Sequence, residues 1–148
     1  MSDNKVDTNE KKITTIEETI ETTGFTIMTV VGDSMMPLLR QGIDTVKIVP
    51  APKKLKKYDV PLYKKPSGQY VLHRIVKVNE DGYMTCGDNR FFYEFVPFDW
   101  VIGVADKFYI GEKEVSTEDP DYKKYVKEVR RAFWPRKILR KAKKTFSK

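Results

Sequence analysis

Short apolar runs of β type follow one another through the middle of the chain, from residue 25 to residue 110. Each run is rich in Val, Ile, Tyr and Phe and is bounded by Gly, Pro, Asp or Asn, a pattern typical of strands joined by turns. A chain of 148 residues has the size of one ordinary domain. We therefore predict a mainly β (α+β) fold, a coiled β-sheet or open barrel, with strands at Thr26–Val31, Thr45–Val49, Val60–Lys64, Tyr70–Asn79, Tyr83–Cys86 and Trp100–Tyr109.

The segment before these runs predicts a short helix over residues 13–24. Isoleucines recur in it at helical spacing. Thr14 or Thr15 can cap its first turn, and Gly24 can end it. Residues 1–12 are polar, and we expect them to stay mobile.

Residues 112–148 predict a basic tail of two amphipathic helices. Asp119 followed by Pro120 is typical of a helix start, and Pro135 separates the two helices. The eight Lys and four Arg of residues 121–148, against two acidic residues, give this segment a net charge of +10. Because the whole chain carries +7, the remaining residues carry −3.

The basic tail has three candidate roles. Aromatic residues among cations suit a helix that lies on an anionic membrane surface. Nucleic acid is a less favoured partner, although Lys and Arg neutralise phosphates on any scaffold. In the third role, the apolar stripe packs on the domain and the charges stay solvated.

Cysteine and histidine each occur once, which limits the chemistry of the chain. We expect no metal site and no cofactor, because a structural zinc site needs several such ligands. A lone cysteine forms no internal disulfide, which fits a reducing compartment. Cys86 ends a predicted strand in apolar company, which favours a buried inert thiol over a nucleophile.

The longest apolar stretch, Phe25–Val31, has seven residues, whereas a membrane-spanning helix needs ~20. The first residues also lack the pattern of a secretory signal. We therefore predict a cytoplasmic protein, with peripheral contact at the inner membrane surface through residues 121–148.

Ser34 is a candidate nucleophile at the end of a predicted strand. Gly32 allows close backbone approach there, and Pro37 fixes a bend. A serine hydroxyl attacks well only when a neighbouring base takes its proton, and backbone N–H groups in such a turn can hold the oxyanion that forms. Met35, Met36 and Pro37 are candidate substrate contacts, with core packing as the alternative for the methionines.

His73 is the candidate base, and it lies in the predicted strand Tyr70–Asn79. Strand alternation puts it on one face with Val71, Ile75 and Lys77. A single histidine in a strand is more often a hydrogen-bonded structural residue, which is the alternative for His73.

Asp88 lies in the segment Gly87–Asn89, which closes the hairpin that begins on the His73 strand. We predict a hairpin turn at Glu80-Asp81-Gly82 that brings this segment back to His73. An acid that fixes the tautomer of the imidazole improves a serine–histidine pair, so Asp88 is a candidate for that role. An ordinary turn is the alternative.

Three segments together resemble the sequence boxes of the signal peptidase I family. They are the nucleophile box at Gly32–Leu38, the general-base box at Val71–Ile75 and the third box at Gly87–Asn89, while Val101–Ala105 resembles the strand that closes the domain. The histidine at the general-base position is similar to the histidine branch of the family. A typical member has a transmembrane helix before its serine, whereas this chain has a polar helix there.

The resemblance implies a signal-peptidase-like catalytic domain over residues 25–111, with Ser34 as nucleophile and His73 as general base. It leaves Asp88 or Glu94 as the orienting acid, because the family's histidine branch usually has a second aspartate where this chain has Glu94. The implied function is a serine endopeptidase that cleaves a leader or precursor peptide.

Two alternatives compete with this interpretation. The related self-cleaving repressor peptidases pair serine with lysine and need a DNA-binding domain, for which the residues before Ser34 are too few. A non-catalytic module on the same scaffold, binding a peptide or a lipid, is the second alternative.

Overall fold

The computed structural model describes residues 14–131, and the fold is mainly β with two helices. Helix α1 spans Ile16–Thr23, and helix α2 begins at Pro120 and continues to the last described residue. A short 3₁₀ helix covers Phe98–Trp100. The strands are β1 Thr26–Thr29, β2 Thr45–Pro50, β3 Pro61–Lys64, β4 Tyr70–Leu72, β5 Arg74–Val78, β6 Gly82–Cys86, β7 Glu94–Pro97, β8 Val101–Ile110 and β9 Lys113–Ser116.

Two antiparallel sheets build the domain. The larger one runs in the order β1-β2-β8-β3-β4 with β9 added to β8, and it is curled into a half-barrel. The smaller one runs in the order β5-β6-β7. Strands β1 and β4 are the first and last in the order of the larger sheet, so they form the two edges of the curled sheet. The main core lies on the inner face of the larger sheet, around fully buried side chains such as Val46, Ile48, Leu62 and Phe108.

The predicted N-terminal helix is present as α1. Thr15 is its N-cap and forms a capping box with Glu18, and Gly24 ends it in the left-handed conformation. Ile20 is buried in the main core. The predicted mobile residues 1–12 lie outside the described residues.

The apolar stripe of the predicted tail helix packs on the domain in the described part of α2. Tyr122 and Val129 are buried, and Val126 packs against the main core beside them. This arrangement agrees with the third role considered for the tail. The predicted second tail helix and most of the basic residues of the tail lie outside the described residues.

The predicted strand Tyr70–Asn79 is wrong at its centre, because the chain leaves one sheet and enters the other at His73. β4 pairs with β3 in the larger sheet, and β5 pairs with β6 in the smaller one. The predicted alternation fails for the same reason, since Arg74 and Ile75 are both fully buried. The predicted hairpin turn is confirmed by the Asn79 N–H, which donates to the carbonyl of Gly82.

Two strands were not predicted. The helix predicted after Gly111 is wrong for Lys113–Ser116, because these residues form β9, which pairs with the end of β8. Glu94–Pro97 forms β7 beside β6. Neither strand, with the sequences Glu-Phe-Val-Pro and Lys-Glu-Val-Ser, alternates strictly between apolar and polar residues, so the pattern did not identify them.

Candidate functional site

Ser34 lies in the turns that follow β1, as its sequence context predicted. Gly32 has a φ of 85°, a left-handed conformation that side chains disfavour, so it lets the chain bend just before the serine. The next residue, Met35, is fully buried in the main core. Ser34 is therefore held at the surface end of a segment that the core anchors.

The third sequence box holds the backbone of Ser34 in place. The Asn89 N–H donates to the Ser34 carbonyl at 2.8 Å, and the Asn89 side chain donates to the carbonyl of Asp33 at 3.0 Å. Gly87 lies so close that a Cβ atom there would be 2.7 Å from the Ser34 oxygen. Only glycine therefore allows this contact between the serine turn and the third box.

Ser34 and His73 border the same cavity, which has a volume of about 530 Å³. The cavity lies between the edges of the half-barrel, with Met28 of β1 on one side and Tyr70–Leu72 of β4 on the other. Three charged side chains also border it, namely Lys65, Arg90 and Glu94. The predicted nucleophile and base thus share one concave space with apolar walls and polar groups.

His73 is half-buried and faces a short hydrogen-bond network. Its Nδ1 lies 3.4 Å from the hydroxyl oxygen of Tyr63. The Tyr63 hydroxyl donates to Glu94 Oε1 at 2.7 Å, and Lys65 Nζ lies 2.7 Å from Glu94 Oε2. Glu94 therefore reaches the imidazole through a tyrosine.

The surroundings keep His73 neutral at physiological pH. Burial lowers the pKa of His73 to about 4, and the attraction of Glu94 opposes this only in part. Burial alone would raise the pKa of Glu94, but the hydrogen bonds from Lys65 and Tyr63 outweigh it and lower that pKa. A neutral imidazole beside a charged carboxylate is the state that a general base requires.

Asp88 occupies a different network. Its two carboxylate oxygens accept hydrogen bonds from Arg74 Nε and Nη2, each at 2.8 Å, and from the Tyr125 hydroxyl at 2.8 Å. Arg74 and Asp88 both have fully buried side chains. Of the two acids that the sequence left open, Glu94 is thus the one that hydrogen bonds connect to His73.

The three residues predicted to contact substrate lie in different environments. Met35 is fully buried yet borders the cavity. Met36 and Pro37 are exposed and precede the buried Leu38 and Leu39. Within the described residues, the cavity is bordered by Met35 and not by Met36 or Pro37. Cys86 is buried, and its thiol donates to the backbone carbonyls of Gly87 and Arg90, in agreement with an inert thiol.

Residues 14–131 contain no group of three or more His, Cys, Asp or Glu side chains arranged to hold a metal ion. None of the helices in that range has the length and apolar character needed to cross a membrane.

Tyr63, Lys65 and Arg90 border or support the site, although they were assigned no role from the sequence. Tyr63 reaches His73 only because β3 pairs with β4, and Arg90 reaches the serine turn through an ion pair with Asp33 at 2.7 Å. No pattern of spacing along the chain reports such contacts. No protein-family model matches the chain, and no curated protein matches it in sequence.

Proposed function

We propose that the chain is a serine endopeptidase of the signal-peptidase type, in which Ser34 attacks the peptide bond and His73 acts as general base. The observation that carries this proposal is the single cavity that both side chains border. The order of the three sequence boxes and the mainly β half-barrel support a signal-peptidase-like domain.

The electrostatics of the site hold His73 in the form that can accept a proton, while its low pKa also makes it a weaker base than an ordinary imidazole. A base must be unprotonated to accept the serine proton, and the lowered pKa of His73 keeps it so above about pH 4. Glu94 is the proposed acid behind the imidazole, where its charge favours the imidazolium that forms in the transition state.

The proposed substrate is a leader or precursor peptide with small residues near the cleaved bond, as the family resemblance implies. The proposed location is cytoplasmic and peripheral at the inner membrane surface. The basic composition of residues 121–148 supports contact with anionic lipid. Co-sedimentation with anionic liposomes at low salt tests that contact, and a chain that stays in the supernatant would exclude it.

Cleavage of quenched fluorescent peptides with alanine on both sides of the central bond tests the proposed function. We expect Ser34→Ala and His73→Ala each to lower kcat/KM by about 10³-fold or more, because a serine and its base act as one unit. Ser67→Ala is the matched control, since Ser67 is an exposed serine in the turn between β3 and β4. Equal cleavage by all four proteins would reject the site, and no cleavage by any of them would favour the non-catalytic module.

The pH dependence of cleavage tests the role of His73 separately. Protonation of the base removes activity, so kcat/KM should be constant above about pH 5 and fall to half its value near pH 4. A fall near pH 6.5, the ordinary pKa of histidine, would contradict the buried environment described for His73.

A further inference from the structure

The hydroxyl of Tyr63 lies between Glu94 and His73. Its single hydrogen determines which of these groups donates and which accepts. A tyrosine hydroxyl carries one hydrogen and accepts with its oxygen. Glu94 Oε1, at 2.7 Å, takes that hydrogen. Burial and the neighbouring Glu94 raise the pKa of Tyr63, so the hydroxyl stays protonated.

The imidazole must then supply the hydrogen for its own contact with Tyr63. The Tyr63 oxygen accepts from Nδ1 across 3.4 Å, which places the proton on Nδ1 and leaves the lone pair on Nε2. Thr85 Oγ1 lies 3.3 Å from the same oxygen, and its own hydrogen donates to the backbone carbonyl of Glu94 at 3.2 Å. The hydrogen bonds of the tyrosine thus determine one tautomer of the histidine.

Tyr63 is also held rigidly enough to act as a fixed support. It lies on β3 inside the larger sheet, and its side chain is fully buried. Its ring meets the His73 ring edge-on, with centroids 6.3 Å apart, and stacks on Trp100 at 6.5 Å. These contacts limit the positions that the hydroxyl can take.

We propose that Tyr63 is the positioning residue of the site: it fixes His73 in the tautomer with the proton on Nδ1, and it links the imidazole to the charge of Glu94. Its role in catalysis rests on the proposed function, whereas the tautomer does not.

In the acylation step, Ser34 Oγ forms a bond to the carbonyl carbon, and the π electron pair of the carbonyl moves to its oxygen. The Ser34 proton moves to His73 Nε2, which gives an imidazolium and a tetrahedral intermediate. When the carbonyl then re-forms, the C–N bond breaks and Nε2 gives this proton to the leaving amine. Nδ1 keeps its proton and donates to Tyr63 throughout. While the imidazolium exists, two hydrogen bonds, through the Tyr63 hydroxyl, connect its positive charge to the carboxylate of Glu94.

Nitrogen NMR of the tag-free chain labelled with ¹⁵N-histidine tests the tautomer, because His73 is the only histidine and its ring signals need no assignment to a residue. Couplings to the carbon-bound ring protons distinguish Nδ1 from Nε2. At pH 7 we expect a protonated Nδ1 and an unprotonated Nε2. In Tyr63→Phe the Nδ1 contact is lost, so the population with the proton on Nε2 should rise. A wild-type chain with its proton on Nε2 would overturn the proposal even if the variant failed to fold.

Thr85→Val is the matched control, because it removes the other contact of the Tyr63 hydroxyl and keeps the path to Glu94. Its tautomer should equal that of the wild type. An equal change in both variants, or no change in Tyr63→Phe, would overturn the proposal.

Kinetics separate this proposal from the proposed function. Tyr63→Phe should lower kcat by about 10- to 100-fold with little change in KM, since positioning of a general base is worth part of the 10²–10⁴ that such a base contributes. If Ser34→Ala cleaves as well as wild type, the protease assignment fails while the tautomer stands. If Tyr63→Phe keeps full kcat while Ser34→Ala is inactive, the positioning role fails and the protease assignment stands.

Discussion

His73 and Arg74 are consecutive residues, yet their side chains enter two different hydrogen-bond networks. His73 faces the cavity and reaches Glu94 through Tyr63. Arg74 faces the interior and forms a fully buried ion pair with Asp88. The change of sheet between β4 and β5 produces this divergence, because it turns successive side chains into separate regions. Each network contains one acid, and the two acids have different physical tasks.

The Arg74–Asp88 network holds parts of the fold together. Burial alone would lower the pKa of Arg74, but its hydrogen bonds and attraction to Asp88 outweigh that effect and raise the pKa. The Arg74 guanidinium also donates to the hydroxyl of Tyr122, and Tyr125 donates to Asp88. Helix α2 therefore docks on the domain through this ion pair. Among the described residues, no buried side-chain nitrogen or oxygen lacks a hydrogen-bond partner.

The Glu94 network borders the cavity and is partly open to solvent. The side chains of Lys65 and Glu94 keep 29% and 31% of their exposure, so water screens their attraction. Asp88 follows Gly87 in a turn, yet its carboxylate pairs with Arg74 and not with His73. Its place beside a glycine therefore does not make it the acid that hydrogen bonds connect to His73. Burial and partners distinguish Asp88 from Glu94, whereas spacing along the chain does not.

The largest expected effect is on stability, from Asp88→Asn. The substitution leaves the Arg74 charge buried without its counter-ion, and removal of one partner from a buried pair costs about 3–5 kcal/mol. Urea denaturation should therefore give a free energy of unfolding lower by that amount. Glu94→Gln is the matched control in the exposed network, and it should cost far less because solvent already screens its pair with Lys65. Equal losses in the two variants would refute the division between a structural and a functional acid.

Much of the fold could be predicted from the sequence because its signals are local. The capping box at Thr15, the left-handed Gly24 and the strand runs all depend on residues close in the chain. The break at His73 depends instead on which sheet each half of the strand joins. Alternation assumes one continuous strand, so it placed Arg74 and Ile75 on opposite faces although both are buried.

A smaller effect is expected from Tyr125→Phe, which tests whether α2 docks through the buried pair. The substitution removes one hydrogen bond to a charged acceptor, and such bonds are worth about 1.5–3 kcal/mol. We expect a loss near the lower value, because Asp88 keeps both bonds from Arg74. Tyr122→Phe should cost less, since Arg74 Nη1 keeps the carbonyl of Tyr58 as an acceptor. Chemical denaturation of both variants measures this order, and a larger loss in Tyr122→Phe would contradict it.

The candidate site could be predicted only in part. Ser34, His73 and the third box were identified because each lies in a distinctive segment, and the resemblance placed them in order. Tyr63 and Lys65 stand in a strand and a turn of ordinary composition. They reach the site through the pairing of β3 with β4 and through β7, a strand that the sequence did not reveal. The choice between Asp88 and Glu94 likewise required the burial of each carboxylate.

The smallest expected effect is a shift in the pKa of His73 when Lys65 or Glu94 loses its charge. Lys65 lowers the pKa of His73 and Glu94 raises it, because a positive neighbour disfavours the imidazolium and a negative one favours it. Lys65→Met should therefore raise this pKa from about 4, and Glu94→Gln should lower it, as measured by NMR titration of the single histidine. The unfolded chain binds a proton at His73 near pH 6.5, so stability falls as the pH drops from there to the folded pKa. Lys65→Met should end that loss at a slightly higher pH and so make the total loss smaller, because it raises only the folded pKa. A shift of the pKa in the same direction for both variants would contradict the opposite effects assigned to the two charges.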